Sequence, residues 1–154
     1  MASVEALAPY QPNAQGLTEV LIDLKSTMPS QTVFKVTGYE TTCFENVTQG
    51  DAVYARASDG QVGKAIANDT FDKALVAGIV ETTKSAGQTI RVITAGIVST
   101  SGLNAGDLYF LSPSTAGAIT LTPPSSSGQA VVRVGEASTA TQFAIRIEPP
   151  IKLS

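Results

Sequence analysis

The sequence contains no histidine and no tryptophan. Without histidine the chain lacks the commonest general base, the commonest nitrogen ligand for zinc and every Ser-His or Cys-His arrangement, so most hydrolase templates are excluded. Its single cysteine, Cys43, rules out an intrachain disulfide framework and a thiolate metal cluster built from one chain. A buried, inert thiol is expected there. Charge is scarce too: 15% of residues are charged and the net charge is −3, which is no footprint for nucleic acid. The five Phe and four Tyr are scattered, so no aromatic platform for bases or sugars stands out. The strongest apolar run, "ALVAGIV" at 74–80, is too short to cross a bilayer. The opening "MASVEALAPY" has no basic segment leading into an apolar stretch, so a soluble protein made in a cytoplasm, with no membrane partner, is expected. Without a secretory signal the sequons Asn46-Val47-Thr48 and Asn68-Asp69-Thr70 are read as chance.

What is present is a chain of 154 residues, 43% hydrophobic, long enough for one core with an arm. Period-two alternation begins at about residue 31 in "TVFKVTGYE" and returns in "DAVYARAS", "KALVAGIVE", "QTIRVITAGIV", "DLYFLS", "AITLTP", "QAVVRVGEA" and "FAIRIEP". Short strands punctuated by Gly, Ser, Pro, Asn and Asp predict an all-β fold, a β-sandwich or small β-barrel. The strands also repeat. "GDAVYARASDGQVGKA" matches "GDLYFLSPSTAGAITL", "ALVAGIVETT" matches "VVRVGEASTA", and "TIRVITAGI" matches "FAIRIEPPI". Gly50 then answers to Gly106, Gly78 to Gly135 and Arg91 to Arg146, a duplicated β unit of about 55 residues. The predicted organisation is an arm over 1–30 and a β domain over 31–154, made of units at about 34–97 and 98–151. Two similar halves packed across one core are expected, with Tyr54 and Phe110 at equivalent core positions.

The repeat places Asp51 and Asp107 after equivalent glycines. Gly-Asp ahead of apolar residues is turn-then-strand chemistry, because Gly tolerates positive φ and Asp accepts nearby backbone N–H groups. The alternatives are an acid/base carboxylate pair, which needs a cleft and a tuned pKa, and shared calcium ligation at an oligomer interface. Lys64, Lys73 and Lys84 are conceivable bases, but lone lysines on a β protein are usually solvated. "DGQVGKA" at 59–65 lacks the phosphate-loop spacing and opens no helix. "NDTFDK" at 68–73 lacks the calcium-loop spacing, so Asp69 and Asp72 read as loop residues. No catalytic residue, metal ligand or cofactor is expected.

The first thirty residues differ from the rest. Pro9 and Pro12 stand in a stretch without sustained period, which predicts an extended arm. Leu17, Val20, Leu21 and Leu24 fit a helical stripe, whereas Val20, Ile22 and Leu24 fit a strand face. Pro29 ends either element, and the Pro149-Pro150 pair at the other terminus must leave the ladder. Tyr10, Leu17, Val20, Ile22 and Leu24 are the candidate partner-binding residues.

The succession from "GDAVYARASDGQVGKA" through "GLNAGDLYFLSPSTAGAITLTPP" to "GQAVVRVGEASTATQFAIRIEPPI" resembles tailed-phage virion modules of the small capsid decoration, or cement, type. The resemblance covers about residues 31–151 and leaves the arm unmatched. It implies a β-rich structural protein without enzyme activity that sits on the capsid exterior of the virion. Such a protein bridges capsomers, with the major capsid protein as partner and a homo-oligomer, dimer or trimer, as its state. A phage tail fibre or baseplate component, binding other virion proteins or a host receptor, is the alternative. A β-sandwich depolymerase is a third reading, and it would need acids grouped in a groove.

Overall fold

In a computed structural model describing residues 35–154, the alternating segments form eleven strands. They are β1 (Thr37–Thr42), β2 (Ala52–Ala55), β3 (Val62–Lys64), β4 (Val76–Val80), β5 (Thr89–Ser99), β6 (Leu108–Leu111), β7 (Ile119–Thr120), β8 (Ala130–Val131), β9 (Arg133–Thr139), β10 (Gln142–Ile145) and β11 (Ile151–Lys152). Among the described residues a 3-10 turn, Phe71–Ala74, precedes β4. Nine strands make one curled antiparallel sheet, a half-barrel, in the order β3-β2-β4-β5-β10-β9-β6-β7 with β1 also on β5. The expected all-β fold is observed, as an open curl rather than a closed barrel. The proline pair leaves the main ladder, and the chain resumes as β11, which pairs with β8 in a separate two-stranded sheet.

Pair by pair, the two halves carry matching registers. Ala52 and Val53 face Ile79 and Gly78, and a bulge then sets Tyr54 against Val76. In the second half Leu108 and Tyr109 face Glu136 and Gly135, and a bulge at the same step sets Phe110 against Arg133. The turns agree as well. Gly50 and Gly106 hold φ of 92° and 89°, and their N–H groups donate to the carbonyls of Val80 and Ala137 at 2.8 and 2.7 Å. Gly78 and Gly135 share a constraint: a Cβ on Gly78 would run into the Ile93 carbonyl, and one on Gly135 into that of Ala144.

That last pair corrects the sequence overlay. Ile93 pairs with Ile79, and Ala144 with Glu136, so Ile93 and Ala144 are the true equivalents and Arg91 and Arg146 are not. The physical cause is the connection between strands. β4 reaches β5 through a long loop over residues 81–88, whereas β9 turns into β10 around Ala140 and Thr141. The shorter link shifts the last strand against any overlay carried forward from the glycines.

β5 belongs to both halves. Its first part pairs with β4 and β1, and Gly96–Ser99 pairs with β10, so the unit boundary expected near residue 97 lies inside one strand. Against β1, β5 takes an extra step between Ile93 and Ala95, and Gly96 follows at φ 108°. Ile93 and Val98, an odd number of positions apart, thereby reach the same core cluster. In an unbroken strand that spacing puts side chains on opposite faces.

Because the parity changes, the two halves use opposite faces of the same repeat. The first half contributes Ala52, Tyr54, Ile79 and Ile93 to the main core, and the second half contributes Tyr109, Leu111, Val134 and Phe143. Tyr109 meets Phe143 edge to face, with centroids 5.9 Å apart, a favoured aromatic geometry. The other face of the first half forms a smaller cluster of Val53, Val62, Val80, Ile90 and Val92, covered by Cys43 and Val47. Phe110, expected in the core, is therefore only half-buried. Its register matches that of Tyr54, but the flipped parity turns it outward.

Candidate functional site

The Gly-Asp turns, the lysines and the lone cysteine carried the chemical possibilities in the sequence, and local geometry assigns each. Asp51 Oδ2 accepts the Thr48 N–H at 2.8 Å, and the Asp51 N–H donates to the Thr48 carbonyl at 2.9 Å. This is the expected turn role. Burial raises the Asp51 carboxyl above its ordinary pKa, while the Thr48 N–H and the Lys64 charge pull it down. At Asp107 the backbone turn is repeated, its N–H donating to the Asn104 carbonyl at 3.2 Å. Its side chain does not cap this turn, because the equivalent N–H, that of Asn104, donates to the Tyr109 hydroxyl at 2.9 Å. Duplication kept the backbone and exchanged the acceptor.

The two aspartates stand in different surroundings: Asp51 packs beneath Gly117, whereas Asp107 is exposed on the rim of a shallow groove. Among the described residues no group of three or more His, Cys, Asp or Glu could hold a metal ion. Cys43 is fully buried, and its thiol donates to the Ser85 carbonyl at 3.1 Å, as expected of an inert structural thiol.

One small polar pocket of about 210 Å³ lies between the β2–β3 hairpin and the 66–73 loop, lined by Phe44, Glu45, Tyr54, Lys64, Asp69 and Lys73 among others. The side chains of Glu45, Asp69 and Lys73 there are engaged. The Lys64 N–H donates to Glu45 Oε2 at 2.5 Å, and Lys73 Nζ bonds Asp69 Oδ2 at 2.7 Å. That contact raises the Lys73 pKa and lowers that of Asp69, the wrong direction for a lysine base. Lys84 serves through its backbone, which bridges to Val47. At the pocket wall Arg56 stacks 4.2 Å over the Phe44 ring, and Phe44 meets Tyr54 edge to face. The Arg56 guanidinium also pairs with Asp59 across the hairpin turn at 2.6 Å.

At the far edge of the sheet lies a feature that the sequence reading missed. Gly106, Asp107, Leu108, Phe110 and Leu121 border a shallow groove of about 450 Å³. Leu108 and Leu121 are 40% and 42% exposed. The alternation in "DLYFLS" says that Leu108 and Phe110 share a face, but not that this face is left outside. Partner-binding candidates Tyr10, Leu17, Val20, Ile22 and Leu24 lie outside the described residues. No helix among those described is long and apolar enough to cross a membrane. In comparisons with protein-family models and with curated proteins, the chain matches none.

Proposed function

We propose that this chain is a structural virion protein of a tailed phage that decorates the outside of the head, without enzyme activity. It binds the major capsid protein across capsomer contacts and acts as a dimer or trimer. The observation that carries the proposal is the duplicated half-barrel itself, whose matched bulges and turns belong to the segment that resembles decoration modules. The chemistry agrees with a binding role. Glu45, Asp69 and Lys73 at the small pocket are tied to neighbouring groups, and the open groove is bordered by Leu108, Phe110 and Leu121 beside Asp107. A cement protein needs modest contacts repeated over a symmetric shell, where each further contact is effectively intramolecular and avidity rises. The arm, through Tyr10, Leu17, Val20, Ile22 and Leu24, reaches capsid protein or a sister subunit.

Cosedimentation with assembled phage head shells tests this. The full chain is expected to saturate at a fixed, symmetric number of copies per capsid protein, and a chain lacking residues 1–30 is expected to fold but not to bind. Absence of binding by the full chain overturns the head assignment in favour of a fibre or baseplate component. Undiminished binding by the shortened chain overturns the role of the arm.

A further inference from the structure

The small pocket beside the β2–β3 hairpin holds polar groups that the fold itself does not use. Tyr54 lines it and is only 9% exposed, yet its hydroxyl bonds no group among the described residues. A buried tyrosine ordinarily finds such a partner, as Tyr109 does in the Asn104 N–H. Because the Tyr54 oxygen is not itself sealed from solvent, the space it reaches is the pocket. Lys64 adds a second open donor. It bonds Glu45 through its backbone N–H, while its ammonium, also at the pocket, has no partner among the described residues.

We propose that this pocket binds a single neutral sugar ring, either free or at the end of a glycan, through Tyr54, Lys64, Lys73, Glu45 and Asp69. The charges choose the class of ligand. Glu45 and Asp69 stand against Lys64 and Lys73, so a ligand of one sign meets as much repulsion as attraction. A hydroxyl group donates and accepts at once, which lets a ring of hydroxyls give to the carboxylates and take from the ammonium and phenol groups. The bonds already in place prepare the site. Lys73 Nζ on Asp69 Oδ2 at 2.7 Å and the Lys64 N–H on Glu45 Oε2 fix these side chains, while Glu45 Oε1 and the other Lys73 N–H groups stay open to a ligand. A volume of about 210 Å³ lies below the roughly 300–1,000 Å³ of sites for drug-sized ligands, which suits one ring and not a chain. Arg56 covers the Phe44 ring, so recognition falls to polar groups rather than to stacking. The proposal goes beyond the decoration role and does not rest on shell binding.

Saturation-transfer NMR titrations of the full-length protein with D-glucose, D-galactose and D-mannose, and with their methyl glycosides, test the proposal. At least one hexose is expected to bind in the millimolar range, as suits so small a ligand. Binding of its methyl glycoside as well identifies the end of a glycan, and binding of the free hexose alone identifies the free sugar. Tyr54→Phe, which removes only the hydroxyl, is expected to weaken binding about threefold to tenfold, the worth of one neutral hydrogen bond. Lys64→Met is expected to weaken it at least about tenfold, since a charged donor is worth more. Lys64 lies at the edge strand β3, so a failure of Tyr54→Phe to fold leaves the second variant as the test. No hexose bound at tens of millimolar overturns the site. Binding indifferent to both substitutions places the sugar elsewhere and overturns this pocket. Inorganic phosphate or glycine bound in preference to every hexose overturns the class of ligand. None of these results bears on shell binding, which cosedimentation reads separately.

Discussion

Asp51 and Asp107 illustrate how far a repeated residue pair can diverge in role while the backbone stays the same. Only the first side chain accepts a turn N–H; at the second turn the Tyr109 hydroxyl does so. Asp51→Ala is therefore expected to lower stability by about 1 kcal/mol, the ordinary net worth of such a hydrogen bond after the cost of half-burying a carboxylate is offset. Asp107→Ala should stay within about 0.5 kcal/mol of the parent, as for surface positions without special contacts. Urea denaturation of the two variants decides the matter. Equal losses would mean that the aspartates still share one role.

At the scale of elements, β5 is the hinge of the design. It completes the first half, begins the second and changes parity between them, which a straight strand cannot do. Gly96 sits at this change with φ 108°, and a Cβ there would fall 2.8 Å from Val36 Cα and 2.9 Å from the Lys35 carbonyl oxygen. Both contacts are to backbone atoms, which cannot move aside without shifting β1. Gly96→Ala is expected to cost about 2 kcal/mol or more, from positive-φ strain and the forced displacement together. Thermal unfolding followed by circular dichroism measures it, and an unchanged midpoint would remove the special role assigned to this position. Gly60, at φ 75° with nothing within 4 Å of a Cβ, provides a comparison in which strain acts without crowding.

For the molecule as a whole, the main core draws Tyr54, Ile79 and Ile93 from the first half and Leu111, Val132 and Phe143 from the second. Neither half can bury its share alone. The hairpins are also joined directly, the Ala52 N–H donating to the Gly117 carbonyl at 2.8 Å and the Gly117 N–H to that of Ala65 at 2.7 Å. Unfolding of the β domain should then be a single cooperative transition despite the duplication. Fluorescence of the tyrosines and far-ultraviolet circular dichroism should give coincident curves. Separate transitions would show that the halves are independent domains.

Much of the fold was legible in the amino-acid order because it depends on local rules. Alternation marks strands, Gly-Asp marks turns, and internal similarity marks duplication, so the all-β class, the matched turns at Gly50 and Gly106 and the buried Cys43 could all be read from neighbouring residues. What local rules could not supply is which face of each repeat meets the core. That depends on one extra residue in β5, whose effect appears only when distant strands are paired. The same cause explains why Phe110 lies outward while Tyr109 fills the core and why the groove at Leu108 was not foreseen; a separate one, the short β9–β10 connection, is why Arg91 and Arg146 are not equivalent. The sequence by itself determined the strands, their turns and their repetition, because these rest on contacts between residues close in the chain. Only the tertiary structure decided which of two chemically similar faces is buried and which is left open, because parity across a shared strand is a property of long-range pairing.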